Sequence, residues 1–196
     1  VSNKSKFKNP IKCLLNPNGS GLSIATKDNI IVSNLYEHSF DICSGWLFRM
    51  NDCIATKGFQ HISIQINGER VDMYNTHLDA GDSKKDIRAR GKQLQSLKDY
   101  IQLNSSSYPL IIAGDININL LDNRWKEIID SFLGELNLQM VDWSICMSDD
   151  MVAEDYIFYR SSDNLEISLI SGGINDNLIG LSDHPPIEAI FDIRKK

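Results

Sequence analysis

The chain has 196 residues, a net charge of −6 and a sequence pI near 5.2. Hydrophobic residues make up 42% and charged residues 23%, enough apolar material for the core of one domain. No apolar run is long enough to cross a bilayer as a helix. The acidic balance also argues against non-specific nucleic-acid binding, which needs dense Lys and Arg to replace condensed counterions. The start, Val1 to Lys6, has no apolar signal-peptide core behind it. Because the chain begins with Val, a leader upstream stays open.

Taken in order, residues 1–18 read as a polar, irregular N-terminal segment and 19–196 as a single domain. Asn16 to Gly21 is a loop sequence. Leu22–Thr26 and Ile30–Tyr36 predict strands. Four cysteines follow no CxxC zinc spacing: Cys13, Cys43, Cys53 and Cys146. Cys43 and Cys53 flank a short loop and are either a disulfide, in an oxidising compartment, or two free thiols in a reducing one. Between them, Trp46, Leu47 and Phe48 beside Arg49 suit a membrane interface or fold back onto the core.

Ile62, Ile64 and Ile66 alternate with polar residues, and Asn67-Gly68 then turns the chain into a partner strand, Val71–Thr76. Ser83 to Leu103 predicts an amphipathic helix, N-capped by Ser83, with Ile87, Leu94, Leu97 and Ile101 near one face. Its basic residues, Lys84, Lys85, Arg88, Arg90 and Lys92, form the one local positive cluster, diluted by Asp82 and Asp86. Leu110–Ala113 is a continuous apolar run, as expected of a strand buried on both faces. A second helix spans Trp125 to Leu136. Strands follow at Tyr156–Tyr159, Leu165–Ile170 and Ile187–Ile193.

Four polar islands stand where these strands end or begin: Thr76-His77-Leu78, Gly114-Asp115-Ile116-Asn117, Asp155-Tyr156-Ile157-Phe158 and Ser182-Asp183-His184-Pro185. Three have a plain structural reading: an Asx turn for Asp115 and Asn117, a satisfied core histidine for His77 and a surface loop for His184; outside the islands, Lys57 has the plain reading of a solvated charge. Together the islands hold the parts for attack on a phosphate ester. Such attack needs a base for water, donors for the phosphate oxygens and a hard cation held by carboxylates.

In order and spacing the islands resemble the endonuclease/exonuclease/phosphatase superfamily of metal-dependent phosphoesterases, with Gly21 to Lys27 as a further match. Cys53 to Phe59, Asn75 to Gly81 and Arg88-x-Arg90-x-x-Gln93-Leu94 are similar to its neutral-sphingomyelinase-like branch. The resemblance implies an α/β (α+β) fold: a DNase I-like four-layer sandwich of two packed mixed β-sheets flanked by helices. It implies His184 as general base, oriented by Asp155. Asp115 and Asn117 would position nucleophile, phosphate and leaving group, and His77 would donate to a phosphate oxygen. Lys57 would contact phosphate, and Asp183 with Asp115 and Asn117 would hold Mg²⁺ (or Mn²⁺) or its waters.

One departure stands out. The family pattern begins with a strand ending in Asn and a second ending in a metal-binding Glu, and nothing before Gly19 supplies them. Glu37 and Glu69 lie in the wrong segments to replace that Glu. The expectation is therefore an N-terminally incomplete fold: part of a longer chain, or a degenerate relative. Taken alone it would be of low stability, or associated with a missing N-terminal segment or second chain. The expected function is a metal-dependent phosphodiesterase acting on a phospholipid such as sphingomyelin, reached through Trp46 and Phe48. A nuclease of the same superfamily and a non-catalytic phosphate-binding relative are the alternatives. A Cys43–Cys53 disulfide would point to a secreted or extracytoplasmic protein.

Overall fold

A computed structural model describes residues 22–45, 53, 55–119, 122–142, 154–180, 182 and 184–196. The elements are β1 (Val32–Ser39), β2 (Gly58–Ile66), β3 (Glu69–His77), α1 (Lys84–Ser105) and β4 (Leu110–Asp115). They continue with α2 (Lys126–Leu136), β5 (Gln139–Met140), β6 (Asp155–Arg160), β7 (Leu165–Ile174), a 3-10 turn (Asp176–Leu178) and β8 (Ile187–Lys195). The first six strands form a mixed sheet in the order β1-β2-β3-β4-β6-β5, and β7 and β8 form a second, two-stranded sheet. The α+β class and its two sheets agree with the sequence reading. Among the described residues three of the four expected layers are seen: helices, large sheet, small sheet.

Local chemistry explains the elements. Asn67 and Gly68 both take positive φ, 55° and 79°, the combination a two-residue hairpin turn needs between β2 and β3. Helix α1 starts with a reciprocal capping box: Asp86 N–H donates to Ser83 Oγ, and Ser83 N–H donates to the Asp86 carboxylate. Helix α2 stops at Asn137, which turns left-handed at φ 53°.

Both helices cover one face of the large sheet. Leu94, Leu97 and Ile101 of α1 and Ile129, Phe132 and Leu136 of α2 are buried in one core with Leu110, Ile112 and Phe158. Phe132 meets Phe158 edge-on, with ring centroids 6.0 Å apart. Alternation along β6 sends Tyr159 to the other face, where it packs on Phe191 of β8 at 5.0 Å. Strand β6 thus reads as one apolar run because both its faces are covered.

The predicted strand at Leu22–Thr26 is not one. Leu22, Ile24 and Thr26 are half-buried and alternate with exposed Ser23, Ala25 and Lys27, so the period of two is real. A strand also needs a ladder partner, and both edges of β3 are taken by β2 and β4. The segment is instead fastened through Asn75, whose side-chain amide donates to the Ser23 carbonyl at 3.2 Å. Likewise the next strand begins at Val32, not Ile30, and carries a bulge at Asn34.

A buried polar network ties β2, β3 and the end of α1 together. Asp72 is fully buried and accepts from Ser63 Oγ (2.7 Å), Ser105 Oγ (2.6 Å), Arg70 Nε (2.7 Å) and Arg70 Nη2 (2.8 Å). His61 Nε2 lies 3.3 Å away. Burial alone would raise this carboxyl's pKa, but hydrogen bonds from His61, Arg70, Ser105 and Ser63 hold it far below the ordinary range.

Candidate active site

Sheet register brings the islands together. In the ladder, His77 of β3 pairs with Asp115 of β4, and Asp115 pairs with Asp155 of β6. Three site residues therefore lie in one row across three adjacent strands. Asp115 and Asp155 are like charges directly opposite each other, a costly pairing unless something cationic lies between. His184, from the loop before β8, provides that: its Nδ1 is 3.0 Å from Asp155 Oδ2 and 3.9 Å from Asp115 Oδ2. On the other side of Asp115, Oδ2 is 3.2 Å from His77 Nε2.

The backbone at the end of β4 is specialised. Gly114 has φ 144°, and a Cβ there would sit 2.0 Å from the Thr76 carbonyl oxygen, so only glycine lets β3 and β4 meet beside the site. Asp115 Oδ1 accepts from the Asn117 N–H at 2.8 Å, closing the Asx turn anticipated as the plain reading. Asn117 is left-handed, at φ 51°, and its side-chain amide donates to the Leu78 carbonyl at 3.0 Å. Turn and site are the same structure here.

Lys57 is buried immediately before β2, and its Nζ is 2.6 Å from His77 Nε2. An ammonium has donors only, so Lys57 donates and Nε2 accepts. The reading of Lys57 as a solvated charge is thereby corrected. In this arrangement the His77 nitrogen nearest Asp115 is engaged by Lys57.

Glu154 is the site residue that sequence reasoning missed. Its Oε2 is 3.2 Å from His184 Nε2, and its carbonyl accepts from the Ile116 N–H at 2.9 Å, holding it beside the end of β4. Burial first, and then the Asp115 charge, raise the pKa of both Glu154 and Asp155. Burial works against protonated His184, but its hydrogen bond to Asp155 and the charges of Asp115, Asp155 and Glu154 outweigh it, so its pKa is raised. Among the described residues, Asp115, Glu154 and His184 form a group whose ligand atoms all lie within 4.8 Å of one another. The donors are mainly carboxylate oxygens, as hard divalent cations prefer, and they are only partly buried, which leaves room for water ligands. Asp183, the other expected metal residue, and Trp46 and Phe48 lie outside the described residues.

The matched residues Arg90 and Gln93 of α1 are structural. Arg90 is buried over the Trp125 ring, 4.9 Å from its centroid, and donates to the carbonyls of Asp79 (3.0 Å) and Gly81 (2.6 Å). Gln93 donates to Asp79 Oδ1 and the Ile42 carbonyl, both at 2.7 Å, and accepts from the Asp79 N–H at 2.9 Å. These bonds pin the turn after His77 to the segment carrying Cys43, which is disulfide-bonded to Cys53 with Cα atoms 5.2 Å apart. The expected surface cluster of basic residues thus loses Arg90. Further along the helix, Lys98 is buried and paired with Glu135 at 2.8 Å.

Two packed sheets with a His–Asp pair and clustered carboxylates at their strand ends define a DNase I-like phosphoesterase architecture. The chain belongs to the Endonuclease/Exonuclease/phosphatase family 2, whose profile matches residues 19–141. It is 26% identical over 154 residues to sphingomyelinases of Mycobacterium bovis and Mycobacterium tuberculosis, an alignment covering 69% of this chain. The chain spans 31% of the length of these relatives. Beta toxin from Staphylococcus aureus shares the fold with a TM-score of 0.67 at 20% identity, over 88% of this chain and 68% of that one. A variant of that toxin with bound magnesium ions aligns with a TM-score of 0.61 at 19% identity, covering 90% and 64%. D. rerio TDP2 complexed with a single-strand DNA product aligns at 0.55 and 16% identity, covering 83% and 68%.

Proposed function

We propose that this chain carries the hydrolytic site of a metal-dependent phosphodiesterase acting on a phospholipid diester of the sphingomyelin type. The observation that carries it is the His184 Nδ1–Asp155 bond, set in the same row as Asp115 and His77. Asp155 holds the Nδ1 proton and the ring orientation, which leaves Nε2 as the atom that takes a proton from water. Asp115 and Asn117, fixed by the Asx turn, position the attacking water and the departing oxygen. Lys57 would donate to a phosphate oxygen, and His77, whose Nε2 accepts from Lys57, would donate there only once Lys57 has released it. A bound Mg²⁺ or Mn²⁺ would neutralise phosphate charge, and Asp115 with Glu154 fits it; Asp183 is a further candidate from the sequence.

The 26% identity to sphingomyelinases favours the lipid substrate. The loss of Arg90 from the basic cluster speaks against a nucleic-acid groove, though the TDP2 likeness makes DNA the control substrate. The Cys43–Cys53 disulfide favours an oxidising, extracytoplasmic location. The test is Mg²⁺-dependent release of phosphocholine from sphingomyelin vesicles, run beside plasmid nicking. Hydrolysis of neither substrate would reject a diesterase; nicking alone would reject the lipid.

A further inference from the structure

We propose that Glu154 is a metal ligand of this site and forms, with Asp115, the carboxylate pair that holds a divalent cation. The inference rests on the diesterase reading above and adds the source of its second carboxylate. None of the motifs singled out in the sequence contains Glu154. It lies just before β6, outside the ladder, so strand alternation does not dictate its direction, and its side chain reaches the row of site residues.

Three observations support it. First, the ligand atoms of Asp115, Glu154 and His184 lie within 4.8 Å of one another. Oxygens about 2.1 Å from one Mg²⁺ are at most about 4.2 Å apart, so a small side-chain rotation closes the set. Second, three carboxylates crowd this spot: Asp115, Glu154 and Asp155. Among the described residues, His184 contacts all three, and it is the cationic group paired with Glu154 and Asp155. Arg90 acts on Glu154 only as a charge at a distance, its Nη1 donating to the Asp79 and Gly81 carbonyls. Third, Glu154 covers His184 Nε2 at 3.2 Å while Asp155 holds Nδ1. A base needs a free lone pair at Nε2, so Glu154 must have another partner when the site works. A cation held by Asp115 would be that partner. The move that completes the metal site also uncovers the base.

The test is Mn²⁺ binding, read by the loss of the free-ion EPR signal, on the 196-residue chain and two variants. Glu154→Gln is expected to weaken Mn²⁺ at least tenfold. Glu166→Gln, which removes an exposed charge on β7, is expected to stay within twofold. An unchanged affinity in Glu154→Gln overturns this inference and leaves the metal-dependent reading standing. Absence of Mn²⁺ binding by the unaltered chain overturns the metal reading itself. Should Glu154→Gln not fold, the unaltered chain labelled at glutamate ¹³Cδ decides: Mn²⁺ is expected to broaden the Glu154 signal before those of Glu37 and Glu69. A Glu154 signal that survives saturating Mn²⁺ overturns the proposal.

Discussion

Replacing Asp72 tests whether the far end of the sheet is held by charge or merely by packing. The carboxylate accepts two bonds from Arg70 and one each from Ser63 and Ser105, with no water access. Alanine removes every acceptor and strands the Ser63 hydroxyl and the Arg70 fork, while Ser105 Oγ keeps its bond to the Tyr74 hydroxyl. Losing one partner of a buried ionic group costs about 3–5 kcal/mol, and partly exposed Arg70 can recover some of that from solvent, so about 3–4 kcal/mol is expected. Asparagine keeps one acceptor for Ser63 and Arg70 Nε. Its amide can donate to Ser105 Oγ but opposes Arg70 Nη2, so about 2 kcal/mol is expected. Urea unfolding at pH 7 measures both. The pH dependence supplies a second check. A carboxyl held below its ordinary pKa stabilises the fold above about pH 4 and loses that contribution as the pH falls further. The parent should therefore lose more stability than Asp72→Asn between about pH 4 and pH 2. A loss below about 1 kcal/mol for alanine, with parallel acid limbs, would refute the reasoning.

Asp155→Asn should lower any diesterase turnover by about two to four orders of magnitude while leaving the melting temperature nearly unchanged, because it disables the base at a part-exposed site. Reducing the Cys43–Cys53 bond should cost about 2–3 kcal/mol in urea unfolding, given a loop closed at a separation of ten residues. Gly114→Ala should cost more than about 3 kcal/mol or prevent folding, since its methyl meets the Thr76 carbonyl; a well-folded variant by circular dichroism would contradict the steric argument. Arg90→Ala should lose about 3 kcal/mol and loosen the turn after His77, visible as faster amide exchange at Asp79.

Most of the framework was legible from pattern. The β2–β3 hairpin, both helices, β4 and β6 follow from alternation, capping and apolar runs, all of them local signals. The failure at Leu22–Thr26 is instructive: the alternation was real, but a ladder is a non-local fact that no window of sequence contains. The site was legible where residue type and order coincide, as for His77, Asp115, Asp155 and His184. Their convergence depends on register, in which His77, Asp115 and Asp155 share a row. Glu154 was invisible because its neighbour Asp155 carried the motif. Arg90 was read partly for its charge and Gln93 only as part of a family pattern; their actual work is done buried, where they bond backbone groups around a turn. Whether Cys43 and Cys53 joined depended on a distance, which composition does not carry.

The row formed by His77, Asp115 and Asp155 has a consequence for how function is lost. Side chains in a sheet alternate faces, so a slip of one residue between β4 and β6 would send Asp155 to the opposite surface rather than shift it slightly. Graded misalignment is therefore not open to this centre. Under the proposed diesterase function, catalytic competence should behave as a digital property of the strand pairing: present with the native register, absent after a one-residue slip. Under mild denaturant, the surviving activity would then count correctly paired molecules one by one.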